Sequence, residues 1–210
     1  MNRLFLELAL AGGDWVLALL LLASVVSVAV MADRWLAFRK NRPRTDELAA
    51  VLGDRLSSGD VAGALEAVRG FASLEGRVAV AGLERYGMGA ASVEDVMAAR
   101  LIRERGTLER RLIILGTMGN NAPFVGLFGT VLGIIKAFND LAVTGNSGVA
   151  VVMAGISAAL VATAFGILVA IPAVIANNYF QTRLDEMVAS SDRISRLILA
   201  HLREAPGKRA

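Results

Sequence analysis

The chain has 210 residues, 55% of them hydrophobic, and a mean hydropathy of +0.57. That balance excludes an ordinary soluble domain of this size and points to a membrane protein. A net charge of +3 made of scattered arginines excludes a nucleic-acid stripe, and the lack of cysteine excludes a disulfide frame or a thiolate metal site.

The fold class expected is an all-α membrane protein with three transmembrane helices and long helical extensions. Residues 1–14 form a periplasmic N-terminal segment in this reading. Within it "RLFLELAL" is either a short amphipathic helix on the membrane surface or a frayed terminus. The first span occupies 15–33: Trp15 to Ala32 is a run of 18 uncharged residues between Asp14 and Asp33. At ~1.5 Å per helical residue that run crosses a bilayer core. It starts too far from a basic segment for a cleaved signal peptide. Its Leu/Val composition suits lipid contact, and its helix is expected to run on toward Pro43.

Residues 34–111 read as a helical cytoplasmic domain. Thr45 is expected to cap a helix whose Leu48, Val51, Leu52 and Leu56 share one face. "DVAGALEAV" follows with Val61, Ala64, Leu65 and Val68, then "LEGRVAVAGLERY". Ser92 and Asp95 suggest a capping-box start. No strong breaker intervenes after them, so one helix is expected from about Ser92 to Phe138, with Gly106 its weakest point.

The second span covers 112–138, with 24 uncharged residues from Leu112 to Ile135. A periplasmic turn at 139–147 and a third span at 148–178 follow, inside a 42-residue uncharged run from Leu141 to Thr182. Residues 179–210 form a cytoplasmic helix and tail. Arg and Lys cluster at 34–44, 103–111 and 183–196 and are absent from the 139–148 turn. The positive-inside rule therefore places the N-terminus outside and the C-terminus in the cytoplasm.

Small residues organise the second and third spans. Gly126, Thr130, Gly133 and Ala137 share one face, as do Ala159, Thr163, Gly166, Ala170 and Ala173, and Gly129 with Gly133 makes a GxxxG pair. In this reading Thr130 is the one polar group exposed on its face deep in the span. Simple packing of the two spans within one subunit explains one small face per helix. It explains less well why both faces are so extended. Pro123 and Pro172 lie inside the apolar runs as candidate kinks or hinges. Asn120 and Asn121 could bond across helices or line a wet vestibule. Neither run contains Asp, Glu, His, Lys or Arg. Lys136 and Asp140 sit at the outer edge. If ions pass here, the titrating carboxylate must come from another chain.

"APFVGLFGTVLGI", Ala122 to Ile134, and "ALVATAFGILVAIPAVIANNYF", Ala159 to Phe180, resemble the second- and third-span motifs of the MotA/TolQ/ExbB family, in its TolQ and ExbB branches. The resemblance implies a homopentamer around a pore that holds two copies of a single-span ExbD/TolR/MotB-like partner carrying a membrane aspartate. It implies that Thr130 and Thr163 lie on the ion path, that H⁺ (or Na⁺) is transported, and that the lipid environment is the bacterial inner membrane. Ion flow would drive mechanical work across the envelope. One position departs: members of the uptake and envelope-maintenance branches commonly carry glutamate five residues before the third-span threonine, and here it is Ala158. That favours the gliding-motility branch.

No GxSxG, P-loop or HExxH pattern is present, and the lone His201 near the polar C-terminus makes no metal site, so neither an enzyme nor a cofactor is expected. The alternative function is a non-conducting membrane scaffold or receptor. The lack of inverted repeats and of charged ligands counts against a solute transporter.

Overall fold

The computed structural model describes residues 12–144 and 148–204, and no strand occurs among them. Among the described residues seven α-helices follow one another: α1 Asp14–Lys40, α2 Thr45–Ser57, α3 Val61–Arg69, α4 Leu74–Leu83, α5 Ala90–Glu109, α6 Leu112–Thr144 and α7 Gly148–Glu204. Three of them, α1, α6 and α7, are long and apolar enough to cross a membrane. The chain is an all-α membrane protein. The segment "RLFLELAL" lies outside the described residues.

The chain divides into two compact units. The first gathers the chain up to Asp33 and Arg111–Asn178. Its core is Val16 and Leu20 of α1, Ala122 and Leu132 of α6, and Val169 and Ala170 of α7, with Val125 and Phe165 packed against them. The first span is thus two-faced. Leu19, Leu22, Val25 and Val28 are exposed, while Val16 and Leu20 are sealed and Ser27 is buried. Composition alone concealed this, because both faces are apolar. At the other end of the unit Arg111 pairs with Asp33 at 2.6 Å.

The second unit holds Arg34–Arg110 and the chain from Tyr179. Leu48, Leu52 and Leu56 of α2, and Ala64 and Val68 of α3, turn inward at helical spacing. Along the distal part of α7, Leu184, Met187, Ser191, Ile194 and Ile198 are buried at alternating steps of three and four, a seam that packs against neighbouring helices. Asp60 caps α3 by accepting from the Gly63 N–H at 2.8 Å. That bond first, then the hydrogen bond from Arg55, holds its carboxyl below the usual carboxylate range.

Four local expectations are corrected. Thr45 does not cap α2. It is the first helical residue, and the preceding Arg44 N–H donates instead to Glu75 Oε1 of α4 at 2.8 Å. Ser92 lies inside α5, which begins after Gly89 at φ +92°, a conformation that favours glycine. The single helix expected over 92–138 is two helices, ending at Glu109 and restarting at Leu112. The interruption falls at Arg110–Arg111, where Arg111 engages Asp33, and not at Gly106. Finally, α6 runs on past Phe138 to Thr144, so the turn expected over 139–147 is helical for its first six residues. Only 145–147 of it lie outside the described residues. The α1 helix stops at Lys40, short of Pro43, which disfavours helical geometry in the residue before it.

Candidate functional site

The small residues of α6 and α7 meet each other within one chain. A Cβ placed on Gly126 would lie 2.7 Å from the Ala162 carbonyl oxygen and 3.0 Å from the Thr163 Cα. One placed on Gly166 would lie 2.5 Å from the Ala122 carbonyl oxygen and 3.1 Å from the Gly126 Cα. The two backbones touch at this crossing, and only glycine permits it. Two turns further, Gly133 packs on Ala159, 2.6 Å from a built Cβ to the Ala159 Cβ. Gly129 faces Ala162 and also the first span, with a Val16 methyl 3.1 Å from its built Cβ. Ala159 and Ala170 are buried. Packing inside one subunit therefore occupies these small faces.

Thr130 stands one turn from Gly126, at the centre of this contact. It is 6% exposed, so the expectation of an exposed hydroxyl is corrected: α7 covers it. Its Oγ1 donates to the Leu127 carbonyl at 2.6 Å and faces the Thr163 Oγ1 at 3.5 Å, the long limit of a hydrogen bond. The structure thus brings together the two threonines singled out from separate motifs. Each hydroxyl offers a donor and acceptor lone pairs. Such a pair can orient water, or lend oxygen to a passing cation, but it cannot hold a charge.

Pro123 and Pro172 sit within helices that remain continuous through them, Pro123 half-buried and Pro172 exposed. Asn120 and Asn121 are exposed, and Asn121 Nδ2 donates back to the Thr117 carbonyl at 2.9 Å, not to another helix.

The sequence reading passed over a second feature. A cavity of about 230 Å³ lies among α1, α6 and α7, lined by Asp14, Lys136, Asp140, Gly155, Ala158 and neighbours. Lys136 and Asp140 form an ion pair at 2.9 Å across its wall. Their i,i+4 spacing on a helix was the available signal. Ala158 opens onto this charged cavity.

Comparison with known proteins places this geometry. Residues 71–193, more than half of the chain and including α6 with most of α7, match the MotA/TolQ/ExbB proton channel family. The chain belongs to this family. It is 45% identical over 96 residues to the Tol-Pal system protein TolQ of Pseudomonas aeruginosa, a match covering 46% of this chain and 42% of TolQ. It is 54% identical over 67 residues to the biopolymer transport protein ExbB of Pseudomonas putida, covering 32% of this chain but 20% of that ExbB. A longer match, 29% identical over 211 residues, covers 91% of this chain and 83% of ExbB from Xanthomonas campestris pv. campestris. The first two matches span less than half the length of those relatives. For this member of the proton channel family, the glycine crossing, both threonines and Ala158 all lie inside the matched region.

Proposed function

We propose that the chain is the multi-span subunit of an ion-driven, energy-transducing complex of the bacterial inner membrane, of the Tol–Pal or biopolymer-transport kind. One observation carries the reading: in a family of proton channels, two threonine hydroxyls face each other inside a helix contact whose apolar runs contain no Asp, Glu, His, Lys or Arg. Dry packing needs no hydroxyl pair at that depth, whereas an ion path built without its own acid needs polar oxygens beside a borrowed one.

In the mechanism that follows, the chain encloses a single-span partner of the ExbD/TolR/MotB kind. The partner's aspartate binds the ion, and the Thr130–Thr163 pair and its water hold the ion's path beside that acid. The charged cavity of Asp14, Lys136 and Asp140 forms the outer approach. One charge crossing the full potential yields ~2.3 kcal/mol per 100 mV. Repeated transfers move the ring against the partner, and the partner's outer part carries the force. H⁺ is the ion favoured by the family, and Na⁺ suits the same oxygens. The basic flanks put the N-terminus outside and the C-terminus in the cytoplasm.

Ala158 favours a second reading of the output. Without the glutamate common in uptake and envelope-maintenance branches, the same machine serves surface gliding. Native mass spectrometry of the complex purified with its partner tests the assembly. Five copies of this chain with two of the partner are expected, and a monomer or an equal ratio would refute it. A multi-span scaffold would assemble without conducting under a membrane potential.

A further inference from the structure

The second unit contains a cavity of about 620 Å³ with an unusual wall. Its floor is aromatic. Trp35 stacks on Tyr179 with ring centroids 6.4 Å apart, and Phe38 meets Phe180 at 5.1 Å. Its rim carries Arg39, Arg42 and Arg183. Arg183 is neutralised locally by Glu186 at 2.7 Å and lies 5.7 Å over the Tyr179 ring. Arg39 and Arg42 make no ion pair among the described residues, and both are exposed. The cavity therefore presents two guanidinium groups with no ion-pair partner among the described residues, above an apolar, ring-lined floor.

Its place along the chain is equally specific. Trp35 comes three residues after the uncharged run of α1 ends at Ala32, and Tyr179 lies in the last turn of the uncharged run of α7, which ends at Thr182. Both rings remain well exposed, Trp35 at 55% and Tyr179 at 45%. Exposed aromatic residues at that point of a span sit at headgroup level. Arginines one to two turns beyond them reach the phosphate layer.

We propose that this cavity binds the headgroup of an anionic phospholipid. The phosphodiester sits between Arg39 and Arg42, and the glycerol and upper acyl chains lie on the Trp35–Tyr179 and Phe38–Phe180 rings. Planar guanidinium groups match phosphate oxygens in two-point contact. The aromatic floor selects a lipid over free phosphate, which has no apolar part to bury. The inference needs only the membrane placement of α1 and α7 and is independent of ion conduction.

Two measurements test it on the full-length protein. In the first, native mass spectrometry counts phosphatidylglycerol and phosphatidylcholine retained by the wild type and by Arg39→Gln/Arg42→Gln. Retention favouring phosphatidylglycerol is expected, with the double variant reduced on the order of 20-fold toward the phosphatidylcholine level. Equal retention of the two lipids, or full retention by the variant, would overturn the site. Displacement of the lipid by excess inorganic phosphate alone would assign it to a free anion instead. The second measurement keeps both arginines, so it does not depend on the variant folding. In Trp15→Phe protein, where Trp35 is the one remaining tryptophan, phosphatidylglycerol brominated near its headgroup should quench Trp35 fluorescence several-fold more than phosphatidylcholine brominated alike. Equal quenching, as when a second copy of the chain fills the cavity, would refute the proposal.

Discussion

Replacing Gly126 with alanine adds one methyl group at the point where α6 and α7 touch. The built Cβ lies 2.7 Å from the Ala162 carbonyl oxygen, with the Thr163 Cα at 3.0 Å and the Gly166 Cα at 3.2 Å. All three neighbours are backbone atoms, so no side chain can swing away. The oxygen is about 0.7 Å closer than ordinary contact allows. The helices must part by about that amount, or the backbone must bend. Overpacking of this kind costs ~1–3 kcal/mol. The same displacement breaks the Thr163–Thr130 hydrogen bond, already at 3.5 Å. Gly106→Ala supplies the contrast, because beyond its chain neighbours and its own helix backbone no described atom lies within 4 Å of its built Cβ. There the methyl meets open space within α5, and helix propensity predicts a gain of ~0.5–1 kcal/mol. Thermal unfolding of both variants in the same detergent, followed by helical circular dichroism, should give shifts of opposite sign. An unchanged or raised midpoint for Gly126→Ala would refute the close-contact argument.

Other outcomes follow from particular bonds. Glu75 is fully buried and accepts the Arg44 N–H, so Glu75→Ala should destabilise the protein by ~1–3 kcal/mol in denaturant titration. Glu75→Gln keeps an acceptor and should fall nearer the wild type. Asp60's carboxyl is held below its usual range by the Gly63 N–H and then by Arg55. Its stabilisation is therefore present above the ordinary carboxylate pKa and lost as pH falls through the lowered one. Melting curves of Asp60→Asn, which retains a capping oxygen, should lose part of the wild type's acid dependence; identical pH profiles would count against the assignment. Thr130→Val, close to isosteric, should shift stability by only about 1 kcal/mol and leave assembly intact by size-exclusion chromatography.

The parts of this fold that depend on local composition were readable in the sequence. Uncharged runs bounded by Asp14, Asp33, Arg111 and Arg183 located three apolar helices, and Pro43 announced the end of α1. The buried stripe Leu48–Leu52–Leu56 followed from spacing alone. The caps were less legible, because Arg44 finds its acceptor on Glu75, 31 residues away, and no local pattern encodes that. A seam of Leu184, Met187, Ser191, Ile194 and Ile198 was encoded by its three–four steps, but the polar residues between them hid it. At the candidate site, the small faces and both threonines stood out as separate motifs. That Gly126 opposes Gly166, and that Thr130 is covered by α7 beside Thr163, are facts of pairing. Periodicity says which residues share a face; it does not say which face meets which. The Lys136–Asp140 pair was overlooked because it marked the edge of a span and not its interior.

The most direct test of the ion-path account is potential-driven proton flux into liposomes containing the chain purified with the proposed single-span partner. Wild-type complex should carry a flux that Thr130→Val and Thr163→Val each reduce at least ~10-fold, the loss that follows from a ~1.4 kcal/mol rise in the barrier, while both variants retain the wild-type subunit ratio. Undiminished flux in both valine variants would contradict the central claim and leave the hydroxyl pair as helix packing alone.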